Sequence, residues 1–558
     1  MAATQAPVTQ VVSAEALRLA QDVPFLGQTA PEGLLTRAID DAEEAQRRLE
    51  SLVGAESLRL VQAPSPFAAV ALDGLLNQAI DGAEDAQRRL ETLAEQALSG
   101  AVSVPGLQTP FALPPVDGAS FRQFSDQGFI PRLRGVEAVE PSLTRSEVPR
   151  PLTGGLAVES IRADFPILSA KVHGRPLVWL DNGATTQKPR AVTDRLTEFY
   201  QTENSNIHRA AHELARRATD AYEDARTVVA TFLGAAKPQE IIFVRGATEA
   251  INLVAQVLSG TRIRAGDEIL VSHLEHHANI VPWQQVAQRI GARLRVLPVD
   301  DRGDLRLEQL PQLLSARTRL VAVAHVSNVL GTVTPVAELI AAAHRVGALV
   351  LVDGAQGVSH MPVDVRALGA DFYVFSGHKL FGPTGIGAVY GREELLQELP
   401  PWQGGGNMIE DVTFEETIYR GPPERFEAGT GNIADAVGLA AAIRYLNGIG
   451  MPQIEAYEGE LSRYGRESLA RIKGLRLIGN PRHHTSVLPF VLDGLRDEEV
   501  GRRLDQAGIA VRAGHHCAQP ILRRFGLESC VRASLAFYNT RAEVDYLTAV
   551  VADIAQGR

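Results

Sequence analysis

The chain has 558 residues, of which 45% are hydrophobic and 22% charged, as expected of a soluble globular protein of two or three domains. Its formal net charge of −11 argues against nucleic acid as the main partner, and no apolar run is long enough to predict a membrane span. The two cysteines cannot form a disulfide framework and lack zinc-site spacing, so a reducing cytoplasm is the expected compartment.

The first 150 residues differ from the rest of the chain. They contain 12 Arg, no Lys and 20 acidic residues, a net charge of −8, whereas the other 408 residues carry only −3. Segments 33–52 and 74–93 are identical at 15 of 20 aligned positions, and each places apolar side chains on one face of a predicted helix. Because isolated helices of this length are marginally stable in water, the region is either a flexible, partly helical extension or a docking segment. The near-duplicate pair favours docking.

From about residue 157, apolar runs of strand length alternate with helical stretches. This rhythm predicts an α/β fold with a mostly parallel sheet covered on both faces. Ligands of such sheets gather at the carboxyl ends of the strands, which is where the polar residues of this region occur.

Two of these polar residues suggest a cofactor. Asp353 follows the apolar run ALVLV, and Lys379 lies in the turn SGHKL after another run. Alone, each could be an ordinary strand-end residue. Together they suit pyridoxal phosphate, which needs a lysine for its Schiff base and a carboxylate for its ring nitrogen.

Phosphate donors are present in the same region. The turn RGATEA (245–250) opens a predicted helix and offers Thr248 together with backbone N–H groups. Ser376 and His378 immediately precede Lys379. Three strand ends therefore predict one cofactor site.

The pair His276 and His277 follows another predicted strand. A metal site is disfavoured because no third ligand lies at helical spacing, and we expect no bound metal. Stacking on the cofactor ring suits His276 better. Gln356 could donate to the cofactor's phenolic oxygen, and Asn328 lies at a strand end on the same side.

Eight motifs along residues 157–556 resemble those of group II (SUF-type) cysteine desulfurases, which are fold-type I, class-V aminotransferase-like enzymes. They occur in the order DNGATTQKP, RGATEAINLVA, EHHANIVPW, HVSNVLGT, VDGAQ, FSGHKLFGPTGIG, RFEAGTGN and RAGHHCAQP. The resemblance implies a flexible extension over 1–156, a large cofactor-binding domain with a mixed or parallel sheet over 157–420, and a small α+β domain over 421–558. The first residues of the large domain are expected to pack with the small one.

The resemblance also implies residue roles. The cofactor-binding set is Lys379, Asp353, Gln356, His276, Thr248, Ser376, His378 and Thr430. The substrate-carboxylate set is Arg532, Arg512 and Asn328. Thr430 is expected to reach the phosphate of a second subunit, which implies a homodimer. Gly431 departs from the family, where proline is common, and this puts the rigidity of that turn in doubt.

Cys517 then becomes the expected catalytic nucleophile, beside Lys379 and His276. The implied reaction converts L-cysteine to L-alanine and leaves a persulfide on Cys517. His515, His516 and Arg512 are close enough in sequence to assist a thiolate. Cys530, in contrast, reads as an inert buried thiol. Because Cys517 is on a short tether, a SUF-type acceptor protein of iron–sulfur cluster assembly is expected to collect its sulfur.

Two questions remain open at this level. A selenocysteine lyase would share these motifs, whereas a transaminase or kynureninase-like enzyme would leave GHHC without a purpose. The extension resembles that of desulfurases packaged as cargo in family 2A encapsulins. Residues 1–150 are therefore expected to load the enzyme into a shell within the cytoplasm, unless they are a solubility or oligomerisation tail.

Overall fold

The computed structural model describes residues 156–208 and 212–557. The repeats 33–52 and 74–93, and the remainder of the N-terminal extension, lie outside the described residues. No helix within the described part of the chain is long and apolar enough to cross a membrane.

Most strands of the described residues lie in two sheets, one of seven strands and one of four. The strands are β1 (Lys171–Val172), β2 (Arg175–Pro176), β3 (Val178–Trp179), β4 (Ile241–Val244), β5 (Glu268–Ser272), β6 (Arg293–Leu297), β7 (Thr318–Ala324), β8 (Leu349–Asp353), β9 (Phe372–Ser376), β10 (Gly387–Gly391), β11 (Ile409–Val412), β12 (Thr417–Tyr419), β13 (Leu475–Leu477), β14 (Val487–Leu492), β15 (Ile509–Ala510), β16 (Arg512–Gly514) and β17 (Cys530–Ser534).

The seven-stranded sheet has the order β4-β10-β9-β8-β7-β5-β6. The pairs from β9 to β6 are parallel, and β10 is antiparallel to both of its neighbours. Strands β5, β8 and β9 are almost wholly buried because helices cover both faces, which explains their continuous apolar runs. The carboxyl ends of the parallel strands consequently meet along one edge.

The α-helices of the described residues are mostly amphipathic segments that pack around these sheets. They are α1 (Val158–Ala163), α2 (Arg190–Thr202), α3 (Glu213–Leu233), α4 (Ala247–Leu258), α5 (Val281–Ile290), α6 (Leu310–Leu313), α7 (Val336–Arg345), α8 (Gly357–His360), α9 (Val365–Leu368), α10 (Glu393–Glu398), α11 (Ile433–Ile449), α12 (Met451–Ala470), α13 (Asp497–Gln506), α14 (Gln519–Arg524) and α15 (Arg541–Ala555). Short 3₁₀ segments include His277–Asn279 and Gly377–Lys379.

The four-stranded sheet, β13-β14-β17-β16, is antiparallel throughout. Strand β3, from the start of the described chain, pairs in parallel with β15, and Asp181 forms a bridge with Ser534 of β17. One apolar core runs through the large sheet and the small sheet, and helix α11 packs on α2 and α3. The fold is that of a fold-type I transferase, as predicted. The proposed boundary at 420/421 stays a prediction.

Candidate active site

Lys379 and Asp353 lie at neighbouring ends of β9 and β8. Asp353 is buried, and its Oδ1 accepts a hydrogen bond from Ala355 N at 2.9 Å. Burial raises the pKa of Asp353 and lowers that of Lys379, while the charge of each opposes the shift of the other. Both groups thus share a poorly hydrated space, in which a lysine amine loses its proton more readily than in water.

The backbone before Lys379 is held by a second lysine. Lys188 donates from Nζ to the carbonyl oxygen of His378 at 3.0 Å and to that of Thr186 at 2.5 Å. Burial lowers the pKa of Lys188 to about 8. This side chain therefore fixes the turn that carries Lys379.

His276 is half-buried and electrically neutral. Its Nδ1 accepts from Ala278 N at 3.0 Å, which leaves Nε2 to carry the ring proton. Burial lowers the pKa of His276 to about 3, and the positive charge of Lys379 adds to the effect. The ring is therefore an uncharged flat surface beside the lysine.

The first turn of α4 faces Ser376. The Oγ of Ser376 accepts from Ala247 N at 2.8 Å, while Thr248 is exposed on the same turn. The turn approaches the sheet so closely that a Cβ placed on Gly387 would lie 2.7 Å from Gly246 Cα. The backbone N–H groups of the first turn, two hydroxyls and the positive end of a twelve-residue helix are thus gathered at one place, which suits a phosphate.

His378 and Gln356 border this region. Burial lowers the pKa of His378 to about 4, with Lys379 and Lys188 contributing, so its ring is neutral at pH 7. Gln356 is buried and donates from Nε2 to Gly183 O at 2.7 Å. One hydrogen of that amide is therefore already used within the protein.

The carboxylate of Asp181 lies between two arginines. Arg512 donates to it from Nη2 at 2.8 Å and from Nε at 3.2 Å, and Arg532 donates from Nη2 at 3.3 Å. Arg532 is only 2% exposed, donates from Nη1 to Asn328 O at 2.8 Å, and has no partner for its Nε. Such a buried guanidinium with an unpaired N–H retains capacity for a carboxylate ligand.

Cys517 is exposed and lies in a tight turn after β16. His516 and Cys517 both have left-handed backbone angles, with φ of 51° and 54°. The carbonyl of His516 accepts from Asn328 Nδ2 at 2.7 Å, and that of Cys517 accepts from His277 N at 2.7 Å. The turn is thus tied to the large sheet on both sides of the nucleophile candidate.

The expected assistance from His516 is wrong. Its ring turns inward, with Nε2 lying 3.0 Å from Cys530 O and 3.2 Å from Cys530 Sγ. Burial lowers the pKa of His516 to about 3, so it supplies no positive charge. Cys530 is buried, and burial raises the pKa of its thiol to about 12, in keeping with an inert thiol.

Residues 178–547 match the aminotransferase class-V family. The chain belongs to this family.

Curated relatives of this family member are cysteine desulfurases. The chain is 60% identical over 426 residues to the cysteine desulfurase of Synechococcus elongatus, covering 75% of this chain and 68% of that protein. It is 60% identical over 400 residues to a probable cysteine desulfurase of Mycolicibacterium paratuberculosis, covering 72% of this chain and 58% of that one. The chain therefore spans less than two thirds of the latter's length.

Solved structures agree. The cysteine desulfurase CsdA of Escherichia coli is 41% identical, with a TM-score of 0.67, and the match covers 72% of this chain and 99% of that one. The chain thus lies among the cysteine desulfurases of the class-V family. The structure of a C-DES mutant with glycine covalently linked to its PLP cofactor is 25% identical with a TM-score of 0.61, and the match covers 70% of this chain and 99% of that one.

Pyridoxal phosphate is the cofactor of this class-V enzyme. The described residues fit it on their own chemistry, because an amine, a buried carboxylate, a neutral aromatic ring and a helix N-terminus converge at one sheet edge. Within the described residues, no group of three or more His, Cys, Asp or Glu could hold a metal ion.

The structure brings most of the sequence-predicted residues of the class-V enzyme together, but not Thr430. That residue is exposed, and its hydroxyl lies 3.4 Å from Asn206 Oδ1. Sequence reasoning assigned no role to three residues, Asp181, Lys188 and His277, although it weighed His277 as half of a metal-binding pair. Asp181 and Lys188 both lie in the motif DNGATTQKP, so the motif was noticed while its charged residues received no role.

Proposed function

We propose that this chain converts L-cysteine to L-alanine and keeps the sulfur as a persulfide on Cys517. The observation that carries the proposal is a shared contact at Asn328. Its Nδ2 donates to the carbonyl of His516, next to the exposed Cys517, and its carbonyl oxygen accepts from Arg532. An exposed thiol and a carboxylate binder are thus held together, and Arg532 lies close enough to Lys379 to add to the effect of burial in lowering the pKa of its amine. The relatives' activity supports the same reaction.

Each group has a role that its surroundings support. Lys379 would hold the cofactor, with Asp353 facing the ring nitrogen and His276 lying against the ring. Thr248, Ser376 and His378 would bind the phosphate, and Gln356 the phenolic oxygen. When bound, pyridoxal phosphate supplies an electron-withdrawing ring that weakens bonds at the substrate's α-carbon.

The other residues bind substrate and move protons. Arg532 holds the substrate carboxylate with the help of its unpaired Nε–H, with Arg512 and Asn328 beside it. Burial lowers the pKa of Lys379, so its amine is available as a base for the proton on Cα. The aromatic ring of neutral His276 helps to exclude water from this space.

The sulfur step is a thiolate attack. Sγ of Cys517 forms a bond to the substrate sulfur while the substrate's Cβ–S bond breaks and its electron pair passes to the carbon fragment. Protons returned to that fragment complete L-alanine. The sum is L-cysteine plus Cys517 thiol giving L-alanine plus Cys517 persulfide, with no external oxidant or reductant.

Cys517→Ser is the first test, with Cys530→Ser as the matched control. Alanine should form from L-cysteine with the wild type and the control but not with Cys517→Ser, while the cofactor absorbance stays unchanged in all three. The alternative, a selenocysteine lyase, predicts that Cys517→Ser still releases alanine from selenocysteine at the wild-type rate and that cysteine is a poor substrate of the wild type.

The finer classification is also proposed. We place the chain with the group II enzymes, because the turn bearing Cys517 is short and tied at both carbonyls. A thiol held in this way needs a SUF-type acceptor to collect its sulfur, for iron–sulfur cluster assembly. Adding such an acceptor should raise alanine turnover well above that with dithiothreitol alone, and equal rates would contradict the classification.

A homodimer is proposed from Thr430. This exposed residue lies in the segment whose family counterpart contacts the phosphate of a second subunit. Thr430→Ala should weaken cofactor retention without altering the unfolding of the protomer. A monomeric, fully active enzyme in sedimentation would contradict this part.

The extension is proposed to load the enzyme into a family 2A encapsulin shell. Support comes from its acidic composition and from the near-duplicate segments 33–52 and 74–93, which suit repeated docking. Co-expression with a shell protein should give co-purification of the full chain and none after deletion of residues 1–110. Co-purification that survives the deletion would assign the extension a solubility or oligomerisation role.

A further inference from the structure

The backbone at Cys517 is held in an unfavourable conformation. Left-handed angles at two successive residues with side chains, His516 and Cys517, are unfavourable because each Cβ comes too close to the following carbonyl oxygen. Such a turn persists only where its surroundings over-determine it. The residues that hold it therefore control where the thiol points.

His277 contacts this turn more than once. Its N–H donates to Cys517 O at 2.7 Å, and its Nε2 accepts from Gln519 N at 3.3 Å. Its ring lies 5.7 Å from that of His515, with the two planes 31° apart, and Nδ1 of His515 accepts from Cys517 N at 3.0 Å. His277 thus forms hydrogen bonds with the chain at Cys517 and again two residues later, at Gln519.

We propose that His277 is a positioning residue for Cys517, which closes the nucleophile's turn onto the large sheet through its Nε2 acceptor. The proposal rests on the role of Cys517 as the sulfur nucleophile. It assigns His277 no contact with the substrate or cofactor. Its separation of 240 positions from Cys517 explains why the sequence gives no sign of it.

The hydrogen bond from Gln519 N to His277 Nε2 requires a neutral imidazole. Nε2 can accept from Gln519 only while it carries no proton, and burial together with the charge of His515 lowers the pKa of His277. Two other titratable residues contact His277: Cys517 on the turn and His276 on its own segment. As pH falls, His277 Nε2 gains a proton and its N–H then faces the N–H of Gln519. The two donors repel each other, and the turn opens.

Two substitutions distinguish the effect of the hydrogen-bond acceptor at His277 from the effect of the size of its side chain. His277→Gln can place an amide oxygen near the position of Nε2 but cannot be protonated, whereas His277→Leu has no acceptor. His483→Leu, at an exposed histidine outside the site, is the control. The full-length holoenzyme is used throughout, and cofactor absorbance and unfolding temperature verify its integrity.

The readout is the second-order rate constant for alkylation of Cys517 by iodoacetamide without L-cysteine, measured across pH. The buried Cys530 reacts too slowly to interfere. Loss of one net hydrogen bond corresponds to a change of about 2- to 10-fold. His277→Leu should raise the alkylation rate constant per thiolate and lower the alanine rate by such factors, and His277→Gln should restore both. In the wild type the rate constant per thiolate should rise as pH falls through the titration of His277, and His277→Gln should lack this rise.

The outcomes are distinct. Alkylation by His277→Leu at the wild-type rate would overturn the proposal while leaving the role of Cys517 intact. Equal changes in the Gln and Leu variants would also overturn it, because the acceptor would then not matter. If Cys517→Ser kept its desulfurase activity, the proposed function would fall, and the alkylation data would still show whether His277 holds the turn.

Discussion

Glu275 offers a sharp test of how burial governs this site. The side chain is fully buried beside His276, where its Oε1 accepts from Ser272 Oγ at 2.5 Å and its Oε2 from Asn279 Nδ2 at 2.6 Å. Burial nevertheless raises its pKa to about 7, and the charge of Asp353 contributes in the same direction. A second full negative charge near Asp353 is thereby avoided below about pH 7.

The sign of the pH effect follows from linkage. Between the ordinary pKa of 4.5 and about 7, the folded protein holds a proton on Glu275 that the unfolded chain has released. The stabilisation contributed by this proton is therefore fully present below pH 4.5 and is lost as pH rises through about 7. A shift of this size corresponds to about 3 kcal/mol at 1.36 kcal/mol per pKa unit, as an order of magnitude.

The perturbation is Glu275→Gln, which keeps the size of the side chain and removes its titration. Urea unfolding of wild type and variant is compared from about pH 5 to about pH 8, with the exposed Glu410→Gln as control. The wild type should lose about 2–3 kcal/mol relative to Glu275→Gln across this range. A difference that stays constant, or one that grows in favour of the wild type, would refute the reasoning.

Three further predictions concern other buried groups. Glu427→Gln should lower the free energy of unfolding by about 3 kcal/mol, because Arg226 is 1% exposed and donates two hydrogen bonds to this carboxylate. The exposed Asp220→Asn on the same helix as Arg226 should cost less than about 1 kcal/mol, and equal losses in urea unfolding would contradict this. Asp181→Asn should raise KM for L-cysteine about tenfold with a smaller change in kcat, since it loosens Arg512 and Arg532, the proposed carboxylate binders; an unchanged KM would count against it. Cys530→Ala should leave the number of fast-reacting thiols at one in titration with a thiol reagent, whereas a fall to zero would show that the assignment of the two cysteines is reversed.

The sheet and its cofactor edge could be read from the sequence for a simple reason. Parallel strands buried on both faces appear as unbroken apolar runs, and their carboxyl ends must share an edge. Asp353 and Lys379 each end such a run or follow one closely, so their proximity follows from topology. No knowledge of side-chain packing was needed for that step.

The partners of these residues could not be read in the same way. Asp181 reaches Arg532 because β3 crosses to pair with β15, a contact between segments more than 300 positions apart. Nothing in the local pattern around Asp181 predicts that crossing. Linear proximity was also misleading at His516, one position before Cys517, because left-handed backbone angles turn its ring toward Cys530.

The positions of Asp181 and His516 both depend on contacts between distant segments of the chain, and such contacts bear on the reaction. The exposed thiol of Cys517 lies in a short turn, and contacts from the large sheet help to hold that turn against its backbone strain. Asn328 supplies one such contact at the His516 carbonyl while its own carbonyl binds Arg532. The turn of Cys517 and the guanidinium of Arg532 are therefore both contacted by the same residue. Any displacement of Asn328 should disturb sulfur attack and carboxylate binding together, which couples the two halves of the site without a direct contact between Cys517 and Arg532.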